Sequence, residues 1–306
     1  MPLLSVVMPV KDGAAYIEAA VASLLAQDLR DWELVIVDDH SKDDTPRIAA
    51  SLAAGDRRIR LVANPGAGQV RAINHGAGFC RGDLLKIMDA DDLLASEFSA
   101  AVPDLAAAEA SYHDALLLDE GTGERTPLRI GPRFQDMDLK ASLRRIMVSP
   151  PRWSWTMTRR VAERVFPLPA GLPSPHEDVF LGLLVKKHAS VKHVPQPLYI
   201  YRQHPGQFYG GLFNFSGPAV ARRARAMLAI IDLVGRSEIV RGVDDADPLL
   251  AASKTYYSLL GRDGLSWSDI FRARLGPSDK ARAAVIRKFP ALAARLSRLK
   301  AARRRP

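Results

Sequence analysis

The residues best equipped for chemistry in this chain stand in polar turns that each follow a short apolar run. Leu84–Met88 ends at Asp89-Ala90-Asp91-Asp92, Leu34–Val37 at Asp38-Asp39-His40-Ser41, and Leu4–Met8 at Pro9-Val10-Lys11-Asp12-Gly13. Carboxylates gathered at one edge repel each other and lose solvation unless a cation or donor groups compensate. An Asp-x-Asp turn after an apolar strand offers hard oxygen ligands suited to Mg²⁺ or Mn²⁺ and leaves positions for phosphate oxygens. Alone, such a turn reads more readily as a solvated acidic turn capping the next helix. A second acidic turn one strand–helix unit earlier favours the cation. Asp38 and Asp39 keep two readings, a cap or Asx-turn and a carboxylate accepting from a base N–H or a ribose hydroxyl.

For these turns to cooperate, the runs before them must be neighbouring strands. Residues 14–27 place Ile17, Ala20, Val21, Leu24 and Leu25 on one helical face. Thr45 is expected to cap a helix with Pro46 at its first position. Arg60–Ala63 reads as a strand, and Val70, Ile73, Ala77 and Cys80 mark a helix before Leu84–Met88. This alternation predicts an α/β fold with a mostly parallel central sheet covered by helices on both faces. Ligands in such sheets bind beyond the carboxyl ends of the strands, where all three turns fall. Residues 103–135 mix short helical and strand-like pieces. A helix is expected over 176–189, two short strands at Val191–Val194 and Leu198–Tyr201, and a mobile loop over Gly206–Gly217. Helices follow at 219–234, 248–261 and 279–300, the last broken at Pro290.

The composition, 47% hydrophobic and 25% charged, excludes a disordered or fibrous chain. A single cysteine, Cys80, excludes a disulfide framework and any multi-cysteine metal site. The net charge of +9 is carried entirely by residues 281–306, which hold nine basic side chains and no acidic one. A basic nucleic-acid-binding body is therefore disfavoured, and no nucleic-acid partner is expected. Within that tail Val285, Phe289, Leu292, Leu296 and Leu299 recur at helical spacing. An amphipathic basic helix of this kind fits an anionic membrane surface; packing on the domain with a solvated basic face is the alternative. No apolar run approaches the ~18–20 residues of a spanning helix, and Lys11-Asp12 interrupts the first run too early for a signal peptide. A cytoplasmic location is expected, or a peripheral one on the cytoplasmic face of the inner membrane.

Taken together, five segments resemble glycosyltransferase family 2: Ser5-Val6-Val7-Met8-Pro9-Val10, Val37-Asp38-Asp39-His40-Ser41-Lys42-Asp43-Asp44-Thr45, Asn64-Pro65-Gly66, Asn74-His75-Gly76, and Gly82 through Asp92. Their order and spacing over residues 4–92 match the family's donor-binding half. Lys11-Asp12 departs from the usual aromatic and Asn, and His40 stands where Gly is common. The resemblance implies the GT-A fold and a donor site in which Pro9, Val10 and Asp39 hold the nucleoside base. Asn64 and Arg71 would lie near the base or pyrophosphate, and Asp89 and Asp91 would hold ribose and a divalent metal, Mn²⁺ or Mg²⁺. Asp12, Asp38 and Ala90 complete the expected donor set.

An inverting transfer needs one base for the acceptor hydroxyl, and a placed carboxylate typically contributes ~10²–10⁴-fold. The acidic pair in His176-Glu177-Asp178-Val179-Phe180 opens a helix, where acids are also favoured by the dipole alone. It resembles the family's Glu-Asp motif, which assigns the base to Asp178 with Glu177 as the alternative and as an acceptor contact. Tyr199-Ile200-Tyr201-Arg202-Gln203-His204 looks like the closing segment over the donor, which brings His204 toward the metal or diphosphate and Arg202 toward phosphate. Trp153 and Trp155 are candidates to line the acceptor pocket; the other reading is core packing between domain halves.

The expected whole is a metal-dependent inverting glycosyltransferase. It would move a sugar from a nucleotide diphosphate donor, UDP by expectation, to a saccharide or lipid-linked saccharide in cell-envelope, exopolysaccharide or other glycan synthesis. Residues 1–215 would form the catalytic domain, with 1–100 as donor half and 101–215 as acceptor half. Residues 216–306 would be a helical region with the basic tail. A nucleotidyltransferase and a non-catalytic sugar-nucleotide-binding or membrane-associated protein are the other classes that an Asp-x-Asp turn permits.

Overall fold

Strand β1 (Leu4–Val10) is buried along its whole length, which is why every second residue need not be polar. It lies between β2 (Trp32–Asp38) and β4 (Leu84–Ile87), parallel to both. β3 (Ile59–Ala63) adds to the far side of β2, again in parallel. Helices α1 (Ile17–Leu25), α2 (Thr45–Gly55) and α3 (Gln69–Ala77) make the crossovers. α3 approaches so closely that a Cβ on Gly76 would meet Val7 Cγ1 at 2.6 Å. The computed structural model describes residues 3–144, 149–174, 176–204, 206, 214–262 and 264–303; the loop expected over Gly206–Gly217 falls largely outside them.

Beyond β4 the sheet becomes mixed, so the wholly parallel arrangement holds only from β1 through β4. β5 (Leu93–Leu94) and α4 (Phe98–Ala106) lead to β6 (Ala110–Asp119), which carries the hairpin partner β7 (Arg125–Leu128). Short helices α5 (Arg133–Asp136) and α6 (Leu139–Arg144) and a 3₁₀ turn at Arg152–Ser154 precede β8 (Trp155–Thr158). β8 inserts antiparallel between β4 and β6. α7 (Arg159–Val165) and α8 (Glu177–His188) follow. The strand order is β3-β2-β1-β4-β8-β6-β9-β5.

Two expectations about local structure need correction. The pair of short strands is one strand, β9 (Val191–Gln203), with register shifts where it passes Asp114 of β6. Pro195 and Pro197 cannot donate to the ladder, and the irregularity absorbs them without ending the strand. Thr45 is the first helical residue of α2 and Asp44 takes the cap position. Thr45 Oγ1 instead accepts the Gly13 amide at 2.8 Å and bonds Asp43 at 2.5 Å.

The C-terminal helices are α9 (Gly217–Gly235), α10 (Ala246–Leu260), α11 (Trp267–Arg272), α12 (Pro277–Lys288) and α13 (Pro290–Arg303). Val220, Ala224, Met227, Ile230 and Ile231 of α9 belong to the same apolar cluster as Val7, Ile87, Trp155 and Leu183. The core thus runs unbroken across residue 215. No helix among the described residues is long and apolar enough to cross a membrane. A chain cut after residue 215 is therefore expected to be insoluble or to lack a cooperative thermal transition, because the face of the core under α9 is opened to water. A chain cut after residue 288 should keep that transition. A soluble, cooperatively unfolding 1–215 fragment would show that the helical region is a separate unit.

Candidate active site

β4 delivers the Asp-x-Asp turn next to the end of β1: Met88 N–H donates to Val7 O at 2.9 Å, and the Asp92 amide closes the turn on Asp89 O at 3.3 Å. Beneath it, the Asp89 amide donates to Tyr199 Oη of β9 at 3.0 Å, and the Arg202 amide donates to Asp92 Oδ1 at 2.8 Å. Carboxylate oxygens of Asp89, Asp91 and Asp92 lie within 4.8 Å of one another. Three carboxyl groups this close, two of them buried, need partners that compensate, and two side chains supply them.

Arg152 is the first. From the 3₁₀ turn its Nη2 donates to Asp89 Oδ1 at 2.6 Å and its Nη1 to Glu177 Oε1 at 2.8 Å. Both ion pairs are buried. The guanidinium ties the turn after β4 to the first residue of α8, two features 88 positions apart in sequence numbering (177 − 89). His204 is the second, with Nε2 at 3.3 Å from Asp91 Oδ2. Its ring packs against Tyr16 with centroids 4.5 Å apart. Asp91 is the half-exposed member of the acidic trio. Burial pushes its carboxyl up, but the His204 hydrogen bond and the nearby Arg152 charge outweigh that and hold it below the ordinary range. An all-oxygen set with an adjacent imidazole suits a divalent cation of the Mg²⁺ or Mn²⁺ type. Asp92, whose carboxyl is raised well above its usual value by burial and by Asp91 and Asp89, serves the backbone of β9.

Glu177 and Asp178 are neighbours with different partners, though each keeps one buried carboxylate oxygen without a hydrogen bond. Glu177 is fully buried and spends Oε1 on Arg152. Asp178 Oδ1 is buried with no hydrogen-bond partner. Burial, then the Glu177 charge, pushes the Asp178 carboxyl up to about 7, against the opposing pull of Arg152.

On the donor side, Asp39 follows β2 and is 5% exposed. It accepts Asn64 Nδ2 at 2.6 Å and the Gly68 amide at 3.0 Å, while its own amide donates to Val10 O at 2.8 Å. Asn64 and Arg71 line an open cavity of ≈ 360 Å³ with Pro65, Gly66, Asn74 and His75. A Cβ on Gly66 would meet Arg71 Cδ at 2.7 Å, so only glycine lets that side chain lie across the loop. His40 has φ +60°, the left-handed region, and its Nε2 lies 2.5 Å from Gly66 O. That backbone conformation accounts for glycine being common there. Pro9 and Val10 are buried in β1, and Asp38 Oδ2 receives the Ser41 amide at 3.4 Å. Ala90 is buried in the acidic turn.

Three expected ligands are differently employed. Asp12 accepts the Lys42 amide at 2.6 Å with φ +49°, pinning loop 11–14 to loop 41–45; the Ala14 amide does the same with Asp43 Oδ2 at 2.9 Å. Trp155 is 0% exposed, packed on Tyr112 and Phe134 in the core, and has no face for a pocket. Arg202 donates to the Asp91 carbonyl, lies over the Tyr16 ring at 4.9 Å and pairs with Glu120 at 3.7 Å, a clasp across the turn. Trp153 is stacked on Tyr199 at 4.8 Å and flanked by Tyr201 at 5.8 Å.

Two functional residues carried weak signals in the sequence. Arg152 was visible only as a neighbour of tryptophans. Lys86 interrupts the apolar strand Leu84–Met88, the cue that it does more than pack. It is fully buried, donating to Trp153 O at 2.7 Å and lying 3.0 Å from His113 Nε2. Burial lowers its ammonium to about 7, opposed by the Asp89 charge. Lys86 thereby fixes the carbonyl one residue after Arg152.

The fold and these clusters agree with what the chain resembles. Residues 5–127 match the sequence model of Glycosyl transferase family 2. The O-antigen biosynthesis protein RfbC of Myxococcus xanthus is 30% identical over 207 residues, 66% of this chain and 16% of that protein. A GalNAc(5)-diNAcBac-PP-undecaprenol beta-1,3-glucosyltransferase of Campylobacter jejuni is 34% identical over 98 residues, 31% of this chain and 32% of that enzyme. The mannosyltransferase PcManGT of Pyrobaculum calidifontis, solved with GDP-Man and Mn²⁺, superposes with a TM-score of 0.60 at 18% identity, covering 98% of this chain and 86% of that one. The fold is of the GT-A type, and the chain carries a glycosyltransferase family 2 domain. It spans less than two thirds of the length of the curated relatives it matches.

Arg152→Ala strands Asp89 and Glu177 as unpaired buried charges, a loss of about 3–5 kcal/mol for such pairs. In urea unfolding, adding Glu177→Gln should recover part of it by removing one stranded charge. Strictly additive losses would show that the two side chains do not interact.

Proposed function

We propose that the protein is an inverting glycosyltransferase that moves a sugar from a nucleoside diphosphate to the hydroxyl of a saccharide or lipid-linked saccharide, with uridine as the base and a divalent metal in the donor site. The observation that carries this reading is Asp178: a carboxylate with an unpartnered buried oxygen, linked through Glu177 and Arg152 to the Asp-x-Asp turn. The envelope-glycan setting is supported by the similarity to the O-antigen biosynthesis protein RfbC and to the Campylobacter enzyme, whose acceptor is linked to undecaprenol.

In this reading Asp178 accepts the proton of the acceptor hydroxyl. The freed oxygen attacks the anomeric carbon from one face while the bond to the diphosphate oxygen breaks on the other, which inverts the centre. The proton leaves Asp178 to water after product release. Trp153, buried and stacked on Tyr199 and Tyr201, packs behind the site and is not assigned to the acceptor pocket. Asp89 and Asp91, with His204, would hold the metal, whose positive charge offsets that developing on the leaving diphosphate. Asp39, held in place by the Asn64 amide and the Gly68 N–H, would present its carboxylate to the base edge. Guanine N1–H would meet the same carboxylate as uracil N3–H, so nucleotide preference is a direct test of the uridine assignment.

Isothermal titration with UDP and GDP, with and without Mn²⁺, is expected to show UDP binding that falls at least about tenfold on chelation. Preference for GDP would correct the base, and equal affinity in excess chelator would remove the metal.

For the base, Asp178→Asn should keep donor affinity and lose about 10²-fold or more in turnover. The acidic limb of kcat/KM for the wild type should fall near pH 7, because Asp178 must be ionised to act. Glu177→Gln should move that limb to lower pH by removing the charge that raises it. The raised carboxyl also has a sign for stability: the folded state holds the Asp178 proton more tightly than the unfolded one, so this group's contribution is lost as pH rises from about 4 toward 7. Asp178→Asn should accordingly raise Tm more at pH 8 than at pH 5. A limb near pH 4, or wild-type turnover in Asp178→Asn, would assign the base elsewhere.

A further inference from the structure

Seven large hydrophobic side chains stand exposed among the described residues, and six of them belong to one short stretch of the chain: Trp267, Phe271, Phe289, Leu292, Leu296 and Leu299, at 40 to 68% exposure. They form a continuous strip. Trp267 lies 6.3 Å from Phe271 and 6.4 Å from Phe289, ring centroid to centroid, and Phe289, Leu292, Leu296 and Leu299 follow at helical spacing along α13.

The strip is held in place from behind. Ala283 and Ala293 are the buried residues of α12 and α13. Arg287 Nη2 donates to Arg262 O at 2.7 Å and Lys280 Nζ to Phe271 O at 2.7 Å, fastening α12 to the preceding segments. Lys288 donates to Leu265 O and holds its ammonium 5.9 Å from the Trp267 ring. A strip of large apolar side chains left beside water marks an interaction site.

We propose that this strip is a docking face for an anionic lipid bilayer, with Trp267, Phe271 and Phe289 seated at the headgroup level and the leucines of α13 reaching the acyl boundary. The charge pattern selects this occupant. Residues 281–306 carry nine basic side chains and no acidic one, which complements anionic headgroups. The same pattern works against a second copy, since pairing two such faces would bring two strongly basic segments together. Aromatic rings with flanking cations suit the interface between water and hydrocarbon, and no helix here spans it. The inference extends the lipid-linked acceptor of the proposed function: a transferase lying on the bilayer meets such an acceptor in two dimensions. α11 enters the face through tertiary structure, since its aromatics lie outside the basic tail.

The test is flotation of the full chain with phosphatidylcholine vesicles, with and without phosphatidylglycerol. Binding should require phosphatidylglycerol, and the double variant Phe271→Ser/Leu296→Ser should bind at least about tenfold more weakly. Both substituted side chains are exposed, so its thermal transition and nucleotide affinity should match the wild type. Equal binding to both vesicles, or unchanged binding of the double variant, would overturn the proposal. A wild-type dimer that the double variant converts to monomer would overturn it in favour of a second copy. Vesicle binding that survives in a protein with no nucleotide affinity would remove the transferase reading and leave this face standing.

Discussion

The site depends on one guanidinium placed between two carboxylates that the chain supplies from distant segments. Arg152 lies in a buried position between Asp89 and Glu177, and neither acid has another cation at hydrogen-bonding distance among the contacts described. In a low-dielectric interior such charges are tolerated only when paired and hydrogen-bonded. The pairing therefore does two things at once. It makes the acidic turn after β4 compatible with burial, and it sets the start of α8, so that Asp178 is placed relative to the donor edge by an ion pair and not by loop length.

The surrounding groups support this arrangement. Lys86 grips the Trp153 carbonyl from below, and Trp153 is stacked on Tyr199, whose hydroxyl accepts the Asp89 amide. Arg202 closes the outer side of the same turn. The acids that remain available are those left out of these bonds, Asp91 at the rim and Asp178 at the helix start. Structural and chemical duties are thus divided among adjacent residues of identical type: Asp92 serves the backbone and Asp91 faces outward, Glu177 pairs and Asp178 does not.

Much of the first hundred residues was legible because local signals and the fold agree there. Apolar runs of strand length, helical periodicity between them, and acids immediately after the strands all name one sheet edge, and β1, β2 and β4 meet there in parallel. Past residue 100 the signals weaken. β8 joins its neighbours antiparallel, which no local pattern announces, and β9 passes through two prolines that locally read as a break. Asp12, Trp155 and Arg202 share their residue types with the residues gathered at the acidic turn and its surroundings. Their duties as loop pin, core filler and clasp depend on partners elsewhere in the chain.

By itself the sequence determined the α/β class, the sheet edge on which chemistry is built, and the identity of the acids available to it, because strand burial and helix amphipathicity are encoded within windows of about ten residues. Which of those acids are neutralised and which are left to act was decided only by tertiary structure. That choice rests on where Arg152 comes to lie, and the placement of a buried cation follows from packing between elements, to which local periodicity is blind. The same reasoning holds at the other end of the chain. A basic, leucine-striped tail is readable from spacing alone, whereas its union with Trp267 and Phe271 into one face exists only once α11 and α12 are folded together.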